Sequence, residues 1–478
     1  MEILFVASEC SPFVKTGGLA DVVGTLPSAL QKEGKSVSVV LPKYDEIPCS
    51  FTDNAETVAQ FKVPIGWRIQ YCNVEKLQYQ GITYYFIDNE YYFNRNGLYG
   101  FFDEAERFVF FNRAVLEMLF HLEYKPDILH CHDWQASLIS LFLNTHYKDD
   151  FFYKGIKTVF TVHNLKYQGI FPQEVLYDLL DLGHEYFHPD ELEFYGDINF
   201  LKGALKYSDV ITTVSESYAR EIQTPYFGKG LHGLLQKRAD DLYGIVNGID
   251  NDSYDPATDS HVFENYERAV SGLENKKKNK VQLQKMTDLP VNGDIPVIII
   301  ISRLVEQKGF DLVLRMLWEM LELDLQLVIL GTGEEKYARA FKEICWEEPD
   351  KVSSHITFNE DLARKMYAAG DIFLMPSQFE PCGIGQLIAL RYLTVPVVRK
   401  TGGLQDTITD FYEDPEKGNG FSFDNFNAHE MFNKIKQALN SYHNEEKWKN
   451  IIKNISDTDY SWQKSAKKYI KIYDKLFD

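Results

Sequence analysis

Two cations set five residues apart, Arg303 and Lys308, stand in the segment Ser302-Arg-Leu-Val-Glu-Gln-Lys-Gly309, directly after the most apolar run of the chain, Ile295–Ile301. On a loop that leaves a parallel strand and enters a helix, an arginine fork and a lysine point charge suit a diphosphate. A second anion feature occurs twice. Lys15-Thr-Gly17-Gly18-Leu-Ala-Asp21 recurs as Lys400-Thr-Gly402-Gly403-Leu-Gln-Asp406, each copy after an apolar run and before a helix-period segment. Glycine lets the backbone approach a ligand, and the start of a helix offers N–H groups and the positive end of its dipole. The pair predicts a phosphate-binding cleft with one such loop on each wall.

Other strand-end segments carry groups suited to sugars. In Thr161-Val-His163-Asn164, the imidazole either serves the structure or hydrogen-bonds a sugar hydroxyl or a developing charge. In Phe379-Glu380-Pro-Cys382-Gly383-Ile-Gly385-Gln386, the Glu380 carboxylate precedes a turn and a helix start and can accept from hydroxyls. His130-Cys-His132-Asp133-Trp134 has two histidines on one side of a strand but a single nearby carboxylate, which disfavours a metal site; Asp133 and Trp134 read as sugar contacts or packing groups. Gly331-Thr-Gly333 continues as Glu-Glu-Lys, so the dinucleotide fingerprint is incomplete and a nicotinamide enzyme is disfavoured. Aromatic residues crowd Tyr84–Phe111, and Tyr91, Tyr92, Phe93 and Tyr99 fall in a segment read as a polar loop, where exposed rings can stack on sugars.

These groups need a scaffold of parallel strands. Short apolar runs alternate with helix-period segments at Ile3–Ala7, Val37–Leu41, Ile128–Cys131, Thr158–Val162 and Val210–Val214. The alternation restarts at Val297–Ser302, Gln326–Leu330, Ile356–Phe358, Ile372–Met375 and Pro396–Val398. Two doubly wound α/β domains follow. Turn chemistry at Ile245–Asp250 and Asp255-Pro256 marks the crossing, giving an N-terminal domain over 1–246 and a second over 247–456. The lysine-rich helical stretch Asn275–Lys285 is expected to lie on the surface.

The 478 residues carry 50 basic against 70 acidic side chains, a net charge of -20, which argues against nucleic acid or an anionic membrane as partner. Six scattered cysteines, with no Cys-x-x-Cys pair, suggest neither disulfides nor zinc and fit a reducing cytoplasm. The segment Met1–Ala7 has no basic leader and enters a strand directly, and no apolar run approaches the roughly 20 residues of a membrane helix.

Taken in order, Lys15-Thr-Gly-Gly-Leu-Ala-Asp-Val, Asn96-Gly-Leu-Tyr-Gly, His132-Asp-Trp, Thr161-Val-His-Asn, Ser302-Arg-Leu-x-x-Gln-Lys-Gly, Phe379-Glu-Pro-Cys-Gly and Thr401-Gly-Gly-Leu-x-Asp-Thr resemble the bacterial glycogen synthase and plant starch synthase family. The resemblance spans nearly the whole chain. It implies a GT-B architecture, with two Rossmann-like domains facing a central cleft and a final helix, 457–478, returning to the first. It implies a retaining glucosyl transfer from ADP-glucose to the non-reducing end of an α-1,4-glucan such as glycogen, without metal or other cofactor.

By the same resemblance, Lys15, Gly18, Arg303 and Lys308 hold the diphosphate, with Gly17 in the same loop. His163 and Asn164 lie beside the glucosyl ring. Glu380, Cys382 and Gly383 line the sugar pocket. Asp133, Tyr99 and Asn247 sit near the sugar or the acceptor, and Phe358 takes the place of an aromatic that stacks on adenine. Within this set His163, Glu380, Arg303 and Lys308 are the expected catalytic residues. Two departures stand out: Gly385 replaces a threonine that contacts phosphate, and Leu393 replaces a common glycine, read as a packing change. Ile388 stands where related families with a Glu-x7-Glu pattern would place a second glutamate. The competing readings are a UDP-glucose-dependent retaining transferase with another acceptor, a silent sugar-binding homologue, and a phosphorylase, which would need a pyridoxal phosphate lysine. The sequence leaves the oligomeric state open.

Overall fold

The computed structural model describes residues 1–478. The chain divides into two compact units: Met1–Gly248 together with Trp462–Asp478, and Ile249–Ser461. Each is a parallel sheet with helices on its faces, as expected of a doubly wound α/β fold.

In the first unit the strands are β1 (Glu2–Val6), β2 (Ser36–Pro42), β3 (Glu56–Ile65), β4 (Arg68–Tyr79), β5 (Ile82–Asp88), β6 (Ile128–His132), β7 (Lys157–Val162), β8 (Ile170–Phe171), β9 (Glu193–Phe194), β10 (Asp197–Asn199), β11 (Val210–Thr213) and β12 (Leu242–Gly244). Nine of them form one sheet in the order β12-β11-β7-β6-β1-β2-β5-β4-β3, while β8, β10 and β9 make a small separate sheet. Pairing is parallel from β12 to β5, with Val6 opposite Val40 on one side and Cys131 on the other. The strands β3 and β4 extend the edge as an antiparallel meander. The order reverses at β1, whose chain successor β2 lies on one side and β6 on the other, so the crevice at the carboxyl ends of β1 and β6 is the switch point.

The C-terminal helix Trp462–Lys475 belongs to this first unit. Its Tyr473 hydroxyl meets His130 Nδ1 at 2.7 Å, its Ser465 hydroxyl donates to Val246 O at 2.6 Å, and its Lys468 pairs with Glu216 at 2.8 Å. The buried face Trp462, Ala466, Tyr469 and Tyr473 follows the 3.6-residue period.

The second unit adds β13 (Val297–Ile301), β14 (Gln326–Leu330), β15 (Val352–His355), β16 (Ile372–Met375), β17 (Val395–Arg399) and β18 (Phe421–Phe423), ordered β15-β14-β13-β16-β17-β18 and parallel throughout. Covered on both faces, its strands need apolar residues at every position, and Val-Ile-Ile-Ile-Ile in β13 supplies them. The switch point lies between β13 and β16.

Four sequence expectations change. The expected strand Ile356–Phe358 lies four residues earlier, at Val352–His355, which pairs with β14 and leaves Phe358 beyond the sheet. The meander β3–β5 was not foreseen. Tyr92 and Phe93 are fully buried rather than on a polar loop, although Tyr91 is exposed. The lysine-rich helix, Leu273–Met286, is not a solvated face throughout: Lys276 and Lys280 are buried. Lys276 Nζ donates to Tyr392 O and Thr394 Oγ1, both at 2.8 Å, and Lys280 pairs with Asp371 at 2.9 Å, so each buried charge has oxygen partners.

Candidate active site

At the first switch point, β1, β6 and β7 deliver Lys15, Asp133 and His163 from adjacent carboxyl ends. Asp133 has φ +56°, an uncommon conformation for a non-glycine residue and one concentrated at functional sites. It turns the carboxylate back over β7, where Oδ1 accepts the His163 N–H at 2.7 Å. Crowding by the protein lifts the Asp133 carboxyl to about 7, against the pull of the His163 and Asn164 amides. Asn164 Oδ1 accepts from Lys166 N at 3.0 Å, which shapes the turn after His163. Burial holds the His163 imidazole near 3, so the ring is neutral.

The loop after β1 is organised by a residue that sequence reasoning passed over. The buried Glu9 carboxylate accepts from Thr16 N at 2.5 Å, Thr16 Oγ1 at 2.7 Å, Gly17 N at 3.3 Å and the Tyr99 hydroxyl at 2.7 Å. Tyr99 also meets Ser8 Oγ at 2.8 Å, and burial pushes its phenol well above the usual range. Thus the amides of Thr16 and Gly17, expected to be open to phosphate, are held by an internal anion. Lys15 is exposed and paired with Asp21 at 2.6 Å, and the space a side chain would fill at Gly17 is open. Asn247, after β12, is buried with Oδ1 unpartnered.

At the second switch point, Arg303 and Lys308 follow β13 while Glu380, Cys382, Gly383 and Gly385 follow β16. Lys308 Nζ lies 2.5 Å from Glu380 Oε2, which also accepts from Ser377 Oγ at 3.0 Å. Gln307 clips the two loops together, receiving Gln378 N at 2.8 Å and donating to Phe379 O at 3.1 Å. Beneath them the guanidinium of Arg399 props the carbonyls of Ser377 and Gln378. Arg303 is exposed, and its guanidinium has no carboxylate partner in the protein. Gly309 has φ +77°, and a Cβ there would stand 2.1 Å from Pro376 O, so no other residue fits the turn after Lys308. Phe358 is 84% exposed on the loop after β15.

The repeated Lys-Thr-Gly-Gly loops prove to do different work. In the second copy, Gly403 N donates to Glu380 O and Pro381 O, both at 3.1 Å. A Cβ at Gly402 would meet Glu380 O at 2.0 Å, and one at Gly403 would meet Cys382 O at 2.2 Å. These glycines press their helix against the Glu380 loop and fix its course, and the Gly403 amide is not free for an anion. Gly385 is explained locally too: a Cβ there would stand 2.9 Å from Phe373 Cζ and 3.2 Å from the Tyr367 hydroxyl, so aromatic side chains fill the place of a threonine. Leu393 has φ +57°, which accounts for glycine as the common residue and shows that more than packing is altered.

No cluster of three or more His, Cys, Asp or Glu side chains is arranged to hold a metal ion, and all six cysteines are free. No helix is long and apolar enough to cross a membrane.

Two doubly wound units, each gathering charged and imidazole side chains at its switch point, place the chain among the GT-B glycosyltransferases. The family of starch synthase catalytic domains matches residues 2–237, and glycosyl transferases group 1 matches 281–455. The chain is 51% identical to the glycogen synthase of Alkaliphilus metalliredigens over 476 residues, covering 100% of both chains. It is 52% identical to that of Desulforamulus reducens over 476 residues, covering 100% of this chain and 99% of the other. The catalytic domain of starch synthase IV from Arabidopsis thaliana, solved with ADP and acarbose, superposes with a TM-score of 0.90 at 34% identity over 99% of each chain. The chain belongs to the glycogen synthase and starch synthase family and is a glycosyltransferase.

Proposed function

We propose that the protein transfers glucose from ADP-glucose to the non-reducing end of an α-1,4-glucan, with retention of the anomeric configuration. The observation that carries this reading is the pairing of Lys308 with Glu380, on a loop that also carries an exposed Arg303 guanidinium free of any carboxylate. As the glycosidic bond to the nucleotide breaks, negative charge builds on the leaving phosphate and positive charge on the sugar. Arg303 and Lys308 meet the first, without any demand for a metal ion, while Glu380 holds the Lys308 ammonium in place and accepts from sugar hydroxyls. Lys15 and Gly18 are further diphosphate contacts in this reading, with the Gly17 amide given over to Glu9. His163 and Asn164 attend the glucosyl ring; Cys382 and Gly383 line its pocket, with Gly385 on the phosphate side; Asp133, Tyr99 and Asn247 lie near the sugar or the acceptor.

Retention requires the acceptor hydroxyl to enter from the face that the phosphate leaves, so the departing phosphate oxygen is itself placed to take the hydroxyl proton. Phe358, exposed on a loop beyond the sheet, offers a ring face to adenine. Free cysteines and the strongly acidic charge balance support a cytoplasmic enzyme with small-molecule and glucan partners. The deciding assay incubates purified protein and glycogen primer with radiolabelled ADP-glucose or UDP-glucose and follows label entering the polymer. Transfer from ADP-glucose in clear excess over UDP-glucose is expected; inertness toward both defeats the reading, and a UDP-glucose preference reassigns the donor.

A further inference from the structure

The proposed reaction leaves two buried imidazoles of the first unit unused, His130 and His132. His132 lies stacked on His130, with ring centroids 4.3 Å apart and planes at 30°, and against Phe5 at 4.9 Å. It makes one polar contact: its Nδ1 stands 3.0 Å from Nε2 of His163. Its own Nε2 is enclosed without a partner in the protein. His130 cannot supply one, because both of its nitrogens are engaged, Nδ1 with Tyr473 at 2.7 Å and Nε2 with Thr161 at 2.6 Å. Burial keeps His132 and His163 below the ordinary imidazole range, so each ring carries a single proton.

Two proton placements satisfy the 3.0 Å contact. If His163 donates from Nε2, the His132 proton sits on its own Nε2, and an N–H is buried with no acceptor. If His132 donates from Nδ1, the enclosed Nε2 carries only a lone pair. An orphaned buried N–H is the rarer of the two defects in folded proteins. We infer that His132 is a positioning residue that fixes His163 as its Nδ1–H tautomer. His163 Nδ1 has no partner in the protein and is not among its enclosed atoms, so the N–H faces the site.

This inference rests on the proposed function for its consequence. His163 then meets an acceptor oxygen of the donor sugar as a hydrogen-bond donor. It cannot take the proton of the attacking hydroxyl, because its one lone pair is already bound to His132.

The test uses the full-length enzyme labelled with 15N at histidine and long-range nitrogen–proton correlation spectra, assigned by comparison with His163→Gln. A protonated Nδ1 and a bare Nε2 on His163 are expected; the reverse pattern, or rapid averaging of the two, overturns the inference. Paired variants give a kinetic readout. His132→Asn keeps an N–H near the place of Nδ1, whereas the near-isosteric His132→Asp puts an acceptor there. The asparagine variant should lose less than about tenfold in kcat, and the aspartate variant about 10² or more with KM for the donor moving less. Equal losses in the two, with thermal unfolding showing both folded, overturn it. If the aspartate variant does not fold, the wild-type spectrum decides alone. Because the tautomer is read without substrate, a failure of the transfer assay does not mask the result.

Discussion

Lys308 Nζ and Glu380 Oε2 lie 2.5 Å apart, although 72 residues separate them in the chain. Each arrives on the loop following one of the two strands that flank the switch point of the second unit, so the sheet order itself creates the pair. Removing the lysine takes away a preorganised cation, and Lys308→Ala should lower kcat about 10² to 10³-fold with little change in unfolding temperature. Glu380→Gln keeps the shape but releases the ammonium, and a loss of about ten- to hundredfold in kcat/KM is expected. In the double alanine variant the losses should fall well short of additive. Full additivity in steady-state kinetics would show that the two act separately.

Glu9 supports a different prediction. Glu9→Ala strips one acceptor from three residues at once, and Thr16 and Tyr99 lose their anchor together. A stability loss of about 1–3 kcal/mol should accompany a rise in KM for the nucleotide sugar, read by denaturant unfolding and initial rates. Glu9→Gln retains one acceptor oxygen and should recover part of both. An unaltered KM in the alanine variant would remove Glu9 from the organisation of the Lys15 loop.

Asp133 makes stability depend on pH in a sense opposite to that of paired carboxylates. Its folded carboxyl titrates at about 7, above the roughly 3.9 of an unfolded aspartate. Below about pH 4 the residue is neutral in both states. From there to about 7 only the unfolded chain ionises, so stability falls as pH rises, and above that the full cost persists. Asp133 is only half-buried at its surface, so the effect is about 1–2 kcal/mol rather than the full shift. Asp133→Asn should therefore gain on the wild type between pH 4 and 7, as read by urea unfolding across that range. A difference that stays flat with pH would refute the assignment.

Leu393 sets two effects against each other. Its left-handed backbone costs about 1–2 kcal/mol, which glycine would relieve. The side chain is fully buried, however, and deleting a buried leucine costs about 2.7–5 kcal/mol. The cavity term wins, and Leu393→Gly should lower the unfolding temperature even though glycine is the common residue there. Stabilisation by this change would mean that the strain outweighs the packing.

Four parallel strands of the second unit, β13, β14, β16 and β17, were legible because strands covered on both faces read as apolar runs, whereas the three-residue β18 was too short to be read. The strand β15 was not, since Val352-Ser-Ser-His offers too little apolar signal and the neighbouring Ile356-Thr-Phe offers more. The meander β3–β5 escaped for a related reason: its exposed face carries Ile69 and Tyr71, which blurs the two-residue alternation. The cations, the Glu380 turn and the His163 turn could be found from residue type and position. Glu9 could not, because a lone carboxylate acquires meaning only when Tyr99, 90 residues away, closes over it. Lys276 and Lys280 misled because their partners are carbonyls and a carboxylate on distant elements, visible only once the helix is docked.

The bond between Tyr473 and His130 reaches across 343 residues. A ribosome that has finished Gly248 has therefore made every strand of the first unit but not its last helix, and His130 waits without its phenol while the whole second unit is synthesised. The first unit is thus assembled from two stretches of chain that flank the second, and its core lacks the Trp462–Lys475 helix until residues beyond Ser461 have been made.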